Sequence, residues 1–135
     1  MSKFTEPLDY ERYQFTCNAA MFFAMEGEAE AAQAMMKAAD AIAYASPDSD
    51  LAVAEHLIEE VAPFRMEMGQ LDQAADTVTE AINICENHLE ALRYRETIFD
   101  AYLFLGRIYA MDAEYIKAEE AFNEAEKRVH DSPYE

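Results

Sequence analysis

Small residues recur along this chain at matched distances. Ala20, Ala62 and Gly106 stand in register; twelve residues on fall Ala32, Ala74 and Ala118, and seven beyond those fall Ala39, Ala81 and Ala125. Gly27, Gly69 and Ala113 sit between the first and second sets, and Met36, Val78 and Phe122 keep the same register further along. Small residues at facing positions let antiparallel helices approach closely, while larger apolar residues a turn away fill the space beside them. The pattern therefore predicts a helical hairpin of about 34 residues recurring every 42 to 44. Six helices follow, over 10–25, 28–45, 51–67, 71–92, 97–111 and 114–129. Asp9, Asp50 and Thr97 are the residues placed to start the first, third and fifth of them. Pro63 falls inside the third helix, where a missing N–H disturbs the ladder, and a kink is expected near Ala62. That kink either sets the curvature of the array, the simpler reading, or opens a groove.

Composition changes this picture little. Ala, Glu, Leu and Met are plentiful and Val, Thr and Gly sparse, which favours helix nearly everywhere. The 135 residues suffice for one domain of all-α architecture without a stabilising metal or disulfide. The three copies cover 13–46, 55–88 and 99–132, after an N-terminal arm, 1–9.

Charge narrows the function classes. A net charge of −18 opposes binding to nucleic acid or an anionic membrane. No stretch reaches the apolar length of a membrane span, and the first residues lack a signal-peptide core. Cys17 and Cys85 fit reduced thiols in a cytoplasmic protein.

The third copy carries the most specific spacing. Tyr102, Leu105, Gly106, Tyr109, Tyr115, Ala118, Phe122 and Ala125 resemble the signature of the tetratricopeptide repeat. The second copy offers Ile58, Val61, Ala62, Gly69, Leu71, Ala74, Val78 and Ala81, with Arg65 in place of an aromatic. The first is degenerate, with Thr16, Ala19, Ala20, Phe23, Gly27, Ala29, Ala32, Met36 and Ala39. The long period is similar to that of kinesin light chain repeats. The resemblance implies three hairpins stacked in a right-handed superhelix, with a concave groove lined by the first helix of each.

Catalytic motifs are missing: there is no Gly-rich phosphate loop, nucleophile elbow or H-E-x-x-H. His56, His88 and His130 show no ligand spacing that recurs, so neither enzyme activity nor a metal or other cofactor is expected. Carried over by the resemblance, the groove is Gln14, Asn18, Met21 and Met25 in the first copy. It continues with His56, Glu59, Glu60, Met66 and Glu67 in the second, and with Asp100, Leu103, Phe104 and Arg107 in the third. Some family members use Lys, Asn and Arg here to clamp an acidic peptide terminus. Cys17, Glu59 and Leu103 occupy those places, and Arg107 alone fits. An acidic, Met-rich groove suits a basic peptide or helix with apolar anchors, although Met21 and Met66 would serve equally as core filling.

A second surface is expected on the first helix. Leu57 with Phe64, and Ala101 with Ile108, form i, i+7 stripes that would pack on the preceding repeat. The matching pair, Phe15 and Phe22, has no repeat before it. Its cover would be the arm through Phe4 and Leu8, a second copy of the protein, or a partner helix. The last helix carries Lys117, Glu120, Asn123, Glu124 and Lys127 on its outer side, as a terminal cap would. The expected role is a non-catalytic adaptor for a basic protein or peptide. The alternative is a small escort chaperone or inhibitory subunit masking a basic, nucleic-acid-binding protein.

Overall fold

A computed structural model describes residues 7–131. They are all-helical: α1 is Pro7–Met25 and α2 Ala29–Tyr44. The third helix, α3, runs through Ser49–His56, a π-helical turn Leu57–Val61, and Ala62–Glu67. Then follow α4 (Leu71–Cys85), a 3-10 turn (Glu86–His88), α5 (Leu92–Met111), α6 (Tyr115–Glu126) and a 3-10 turn (Val129–Asp131). Each helix packs on the next, and α3 also touches α1 and α5.

All nine small residues of the register are buried. In the third copy a Cβ built on Gly106 would lie 2.6 Å from the Phe122 ring. Phe122 itself is 40% exposed, lying over Gly106 from the rim of the core. The repeat is also written in the backbone. Gly27 and Gly69 each have φ of 77°, and Ala113 has φ of 58°. After each, one N–H reaches back five residues: Glu28 to Phe23 O at 2.9 Å, Gln70 to Arg65 O at 2.8 Å, and Glu114 to Tyr109 O at 2.8 Å. These are Schellman closures, which satisfy carbonyls at the helix end through one left-handed residue.

Several boundaries differ from the expectation. Residues 7–9, assigned to an arm, are already helical, because the fixed φ of Pro7 suits the first helical position. Asp9 is thus an acidic residue of the first turn and no cap. Likewise α3 starts at Ser49, and Asp50 accepts from His88 Nε2 at 2.8 Å. The fourth helix stops at Cys85, short of 92, and α5 starts at Leu92 and not at Thr97. Thr97 lies inside the helix and donates to the Arg93 carbonyl at 2.8 Å. The turn is anchored by contacts distant in sequence: His88 stacks on Tyr94 with centroids 4.3 Å apart and holds Asp50 at the start of α3.

The disturbance expected at Pro63 takes the form of the π turn. Pro63 has no N–H to offer the Glu59 carbonyl. The Ala62 N–H instead donates five residues back, to Leu57 O.

Candidate functional site

The face read as a groove runs along α1, α3 and α5. Asn18, Met25, Glu59, Glu67 and Arg107 are exposed on it, and Gln14, Glu60, Asp100, Leu103 and Phe104 are half-buried. Met21 and Met66 are also half-buried and rest against the two hydrophobic clusters, so each fills core while showing part of its surface.

His56 does not belong to this face. It is fully buried, and Cys17 is buried as well, in the core cluster with Tyr13. The Tyr13 hydroxyl donates to His56 Nδ1 at 2.7 Å, and His56 Nε2 donates to Asp40 Oδ1 at 2.6 Å. The carboxylate can only accept, which fixes the Nε2–H tautomer and leaves Nδ1 as the acceptor for tyrosine. Burial holds the Tyr13 hydroxyl protonated far above the usual tyrosine range. The relay joins α1, α2 and α3, running from buried Tyr13 and His56 to the Asp40 carboxylate, whose side chain is 41% exposed. Sequence spacing could not find it, because its members lie 43 and 16 residues apart.

Between α3 and α5 lies a cleft of about 270 Å³. Glu55, Ile58 and Glu59 come to it from α3, and Arg93, Glu96, Thr97 and Asp100 from α5. Glu59 and Asp100 were expected there; the others were not. Glu55 and Glu96 stand one helical turn before those two residues, which is the signal that would have found them. The misplaced start of α5 hid Arg93 and Glu96.

Four carboxylates face one guanidinium in this cleft. Arg93 Nη2 donates to Glu55 Oε2 at 2.8 Å. The second oxygen of Glu55, Oε1, is enclosed and has no hydrogen-bond partner among the described residues. Burial, and then the charge of Glu96, push the Asp100 carboxyl above its ordinary range, partly offset by Arg107. Carboxylates outnumber cations among the residues that line the cleft.

A larger cleft of about 390 Å³ has the opposite sign, with Arg95, Lys127, Arg128 and Glu86 among its lining residues. Its cations are engaged by the chain itself: Arg128 and Lys127 hold Glu124, and Arg95 holds the Leu89 carbonyl. Among the described residues no cluster of His, Cys, Asp or Glu has the arrangement of a metal site.

On the outer face of α1, Phe15 is 72% and Phe22 58% exposed, while Leu57, Phe64, Ala101 and Ile108 are all buried. Phe4 and the Leu8 side chain lie outside the described residues. The last helix is less polar outside than expected, since Tyr115 and Ile116 are 69% and 78% exposed. No helix of the described residues is long and apolar enough to cross a membrane.

No protein-family model, curated protein or solved structure matches the chain. The resemblance to the tetratricopeptide repeat therefore rests on residue register alone.

Proposed function

We propose that this chain is a non-catalytic interaction module of three tetratricopeptide-like hairpins in a right-handed superhelix, acting as a cytoplasmic adaptor. Its acidic face takes a segment of a partner protein that carries Lys or Arg and a few apolar anchors. The observation that supports this is the cleft between α3 and α5, where Glu55, Glu59, Glu96 and Asp100 outnumber Arg93 beside an apolar Ile58. Half-buried Leu103 and Phe104 continue the same face with apolar surface. Such a surface steers cationic partners and repels nucleic acid.

Fluorescence anisotropy with synthetic peptides tests it. Peptides alternating Arg or Lys with Leu and Phe should bind, and versions with Glu in the basic places should not. Glu59→Lys with Glu60→Lys should weaken binding about ten-fold or more with the helical circular dichroism unchanged. Equal binding of acidic and basic peptides would sink the reading, and undiminished binding by the double variant would move the site to Phe15 and Phe22.

The exposure of those two rings favours a second reading, an escort or inhibitory subunit that covers a basic protein over a large area. Binding would then weaken steeply with salt and require Phe15 and Phe22 as well as the cleft.

A further inference from the structure

Phe15 and Phe22 hold the positions in the first hairpin whose counterparts, Leu57 with Phe64 and Ala101 with Ile108, are buried. Phe22 is steadied from beneath: its ring meets the Phe23 ring edge-on with centroids 5.7 Å apart, and Phe23 packs on the core cluster. A ring already ordered loses little freedom when it is covered. The face around the two rings is symmetric about Ala19. Phe15 comes four residues before Ala19 and Phe22 three after it, while Arg12 and Glu26 come seven before and seven after. Glu26 still follows the helical path, since its N–H donates to Phe22 O at 3.0 Å. At about 100° and 1.5 Å per residue these five positions share an arc of about 80°, with each charge about 10 Å from Ala19. Arg12 and Glu26 are exposed and Ala19 is half-buried.

We propose that this face of α1 pairs with the same face of a second copy, antiparallel about a two-fold axis at Ala19. In an isologous contact residue i meets j and j meets i. A half-turn about Ala19 therefore sets Arg12 of each chain beside Glu26 of the other and brings Phe15 of each against Phe22 of the other. The small side chain of Ala19 at the crossing lets the two helices approach. Charge selects this occupant. Arg12 is the only Lys or Arg between Lys3 and Lys37, so a basic segment laid along the face would oppose it, whereas an antiparallel copy offers the opposite sign at both ends. Its present contact with Asp9 is long, at 3.6 Å, and a guanidinium has five N–H groups to share. The net charge of −18 on each chain keeps the association modest, in the micromolar range. The pairing uses neither α3 nor α5, so it stands or falls apart from the adaptor reading.

Sedimentation equilibrium of the full chain from about 1 to 200 μM tests it. The mass should rise from 15.4 kDa toward that of two chains and stop there. Phe15→Ser with Phe22→Ser should weaken the dimer about ten-fold or more. Arg12→Glu and Glu26→Arg should each weaken it about five-fold or more. Combined in one chain, the two reversals restore both pairs and the original net charge, and affinity should return to within about two-fold of wild type, a recovery that misfolding could not produce. Ala19→Cys, at the axis, should cross-link to itself under mild oxidation, while Gln33→Cys on the exposed side of α2 should not; Cys17 and Cys85 are buried. A mass of 15.4 kDa throughout would overturn the dimer and leave the face to the first residues of the chain or to a foreign helix. Growth beyond two chains, or a double reversal no better than the single ones, would overturn the two-fold arrangement.

Discussion

At the N-terminal end of the array two phenylalanine rings face solvent, Phe15 at 72% and Phe22 at 58% exposure. At the C-terminal end the rings of α5 are roofed by cations: the Arg128 guanidinium lies 4.9 Å from the centre of Tyr102, and the Lys117 ammonium 5.7 Å from that of Tyr109. A cation over an aromatic face adds a modest attraction and presents charge to water. The interiors differ too. The N-terminal core depends on directed hydrogen bonds through His56, whereas the third hairpin depends on the fit of Phe122 against Gly106. One half is fixed by directed hydrogen bonds and the other by shape, and both leave apolar side chains in water, Phe15 and Phe22 at one end and Tyr115 and Ile116 at the other.

Substitutions should separate the halves. Gly106→Leu displaces the Phe122 ring from its seat on α5 and should cost about 1–3 kcal/mol in chemical denaturation; a neutral result would break the claim that shape governs the third hairpin. Tyr13→Phe strands His56 Nδ1 in the core and should cost about 1–2 kcal/mol, whereas a cost near zero would mean that the relay adds nothing to the first half.

High pH provides a third way to sharpen the contrast. Burial pushes the Cys85 thiol up to about 12, and burial with Asp48 does the same to the Tyr94 hydroxyl. Both lie with Tyr13 in the N-terminal core cluster. Above pH 9 to 10 the unfolded chain releases protons that the folded chain keeps. Stability is therefore full below that range and declines as pH rises, by up to about 1.4 kcal/mol per pH unit for each group. Cys85→Ala should flatten the decline seen in thermal melts between pH 9 and 12, and an unaltered slope would remove Cys85 from the account.

Smaller effects concern the turns and the exposed end. Ala113→Gly removes the strain of a positive φ and should add about 0.5–1 kcal/mol, detectable as a raised melting temperature. Phe15→Ser with Phe22→Ser should change stability by no more than about 0.5 kcal/mol, because both rings are already wet. The same variant followed by light scattering decides what the rings do: a wild-type dimer that becomes a monomer would assign them to self-association, and a monomer throughout would leave them to another partner.

The hairpins were legible because small residues and left-handed turn positions repeat at a period that local chemistry enforces. The nine small residues of the helix register are buried, and Gly27, Gly69 and Ala113 occupy equivalent, exposed turns. The turn before α5 was not legible. Glu86, Asn87 and His88 carry no glycine or proline, and the chain breaks there because His88 stacks on Tyr94 and meets Asp50 on α3. His56 was misplaced for a related reason: its spacing suited a groove, but Tyr13 and Asp40 supply two polar partners that make burial favourable. Of the cleft, Glu59 and Asp100 were visible in sequence, while Glu55 and Arg93 depended on how α3 meets α5.

The π turn at Leu57–Val61 gains a meaning from what flanks it. One surplus residue in a helix advances the angular phase of everything before it by about 100° relative to everything after. With that offset, Glu55 lines the α5 side and His56 enters the core between α1 and α2, while Ala62 and Phe64 beyond it remain buried. Removing a single residue from the turn would return the helix to its ordinary winding and swing both side chains away together. The cleft carboxylate and the relay are thus tuned by one insertion, and re-phasing would move both.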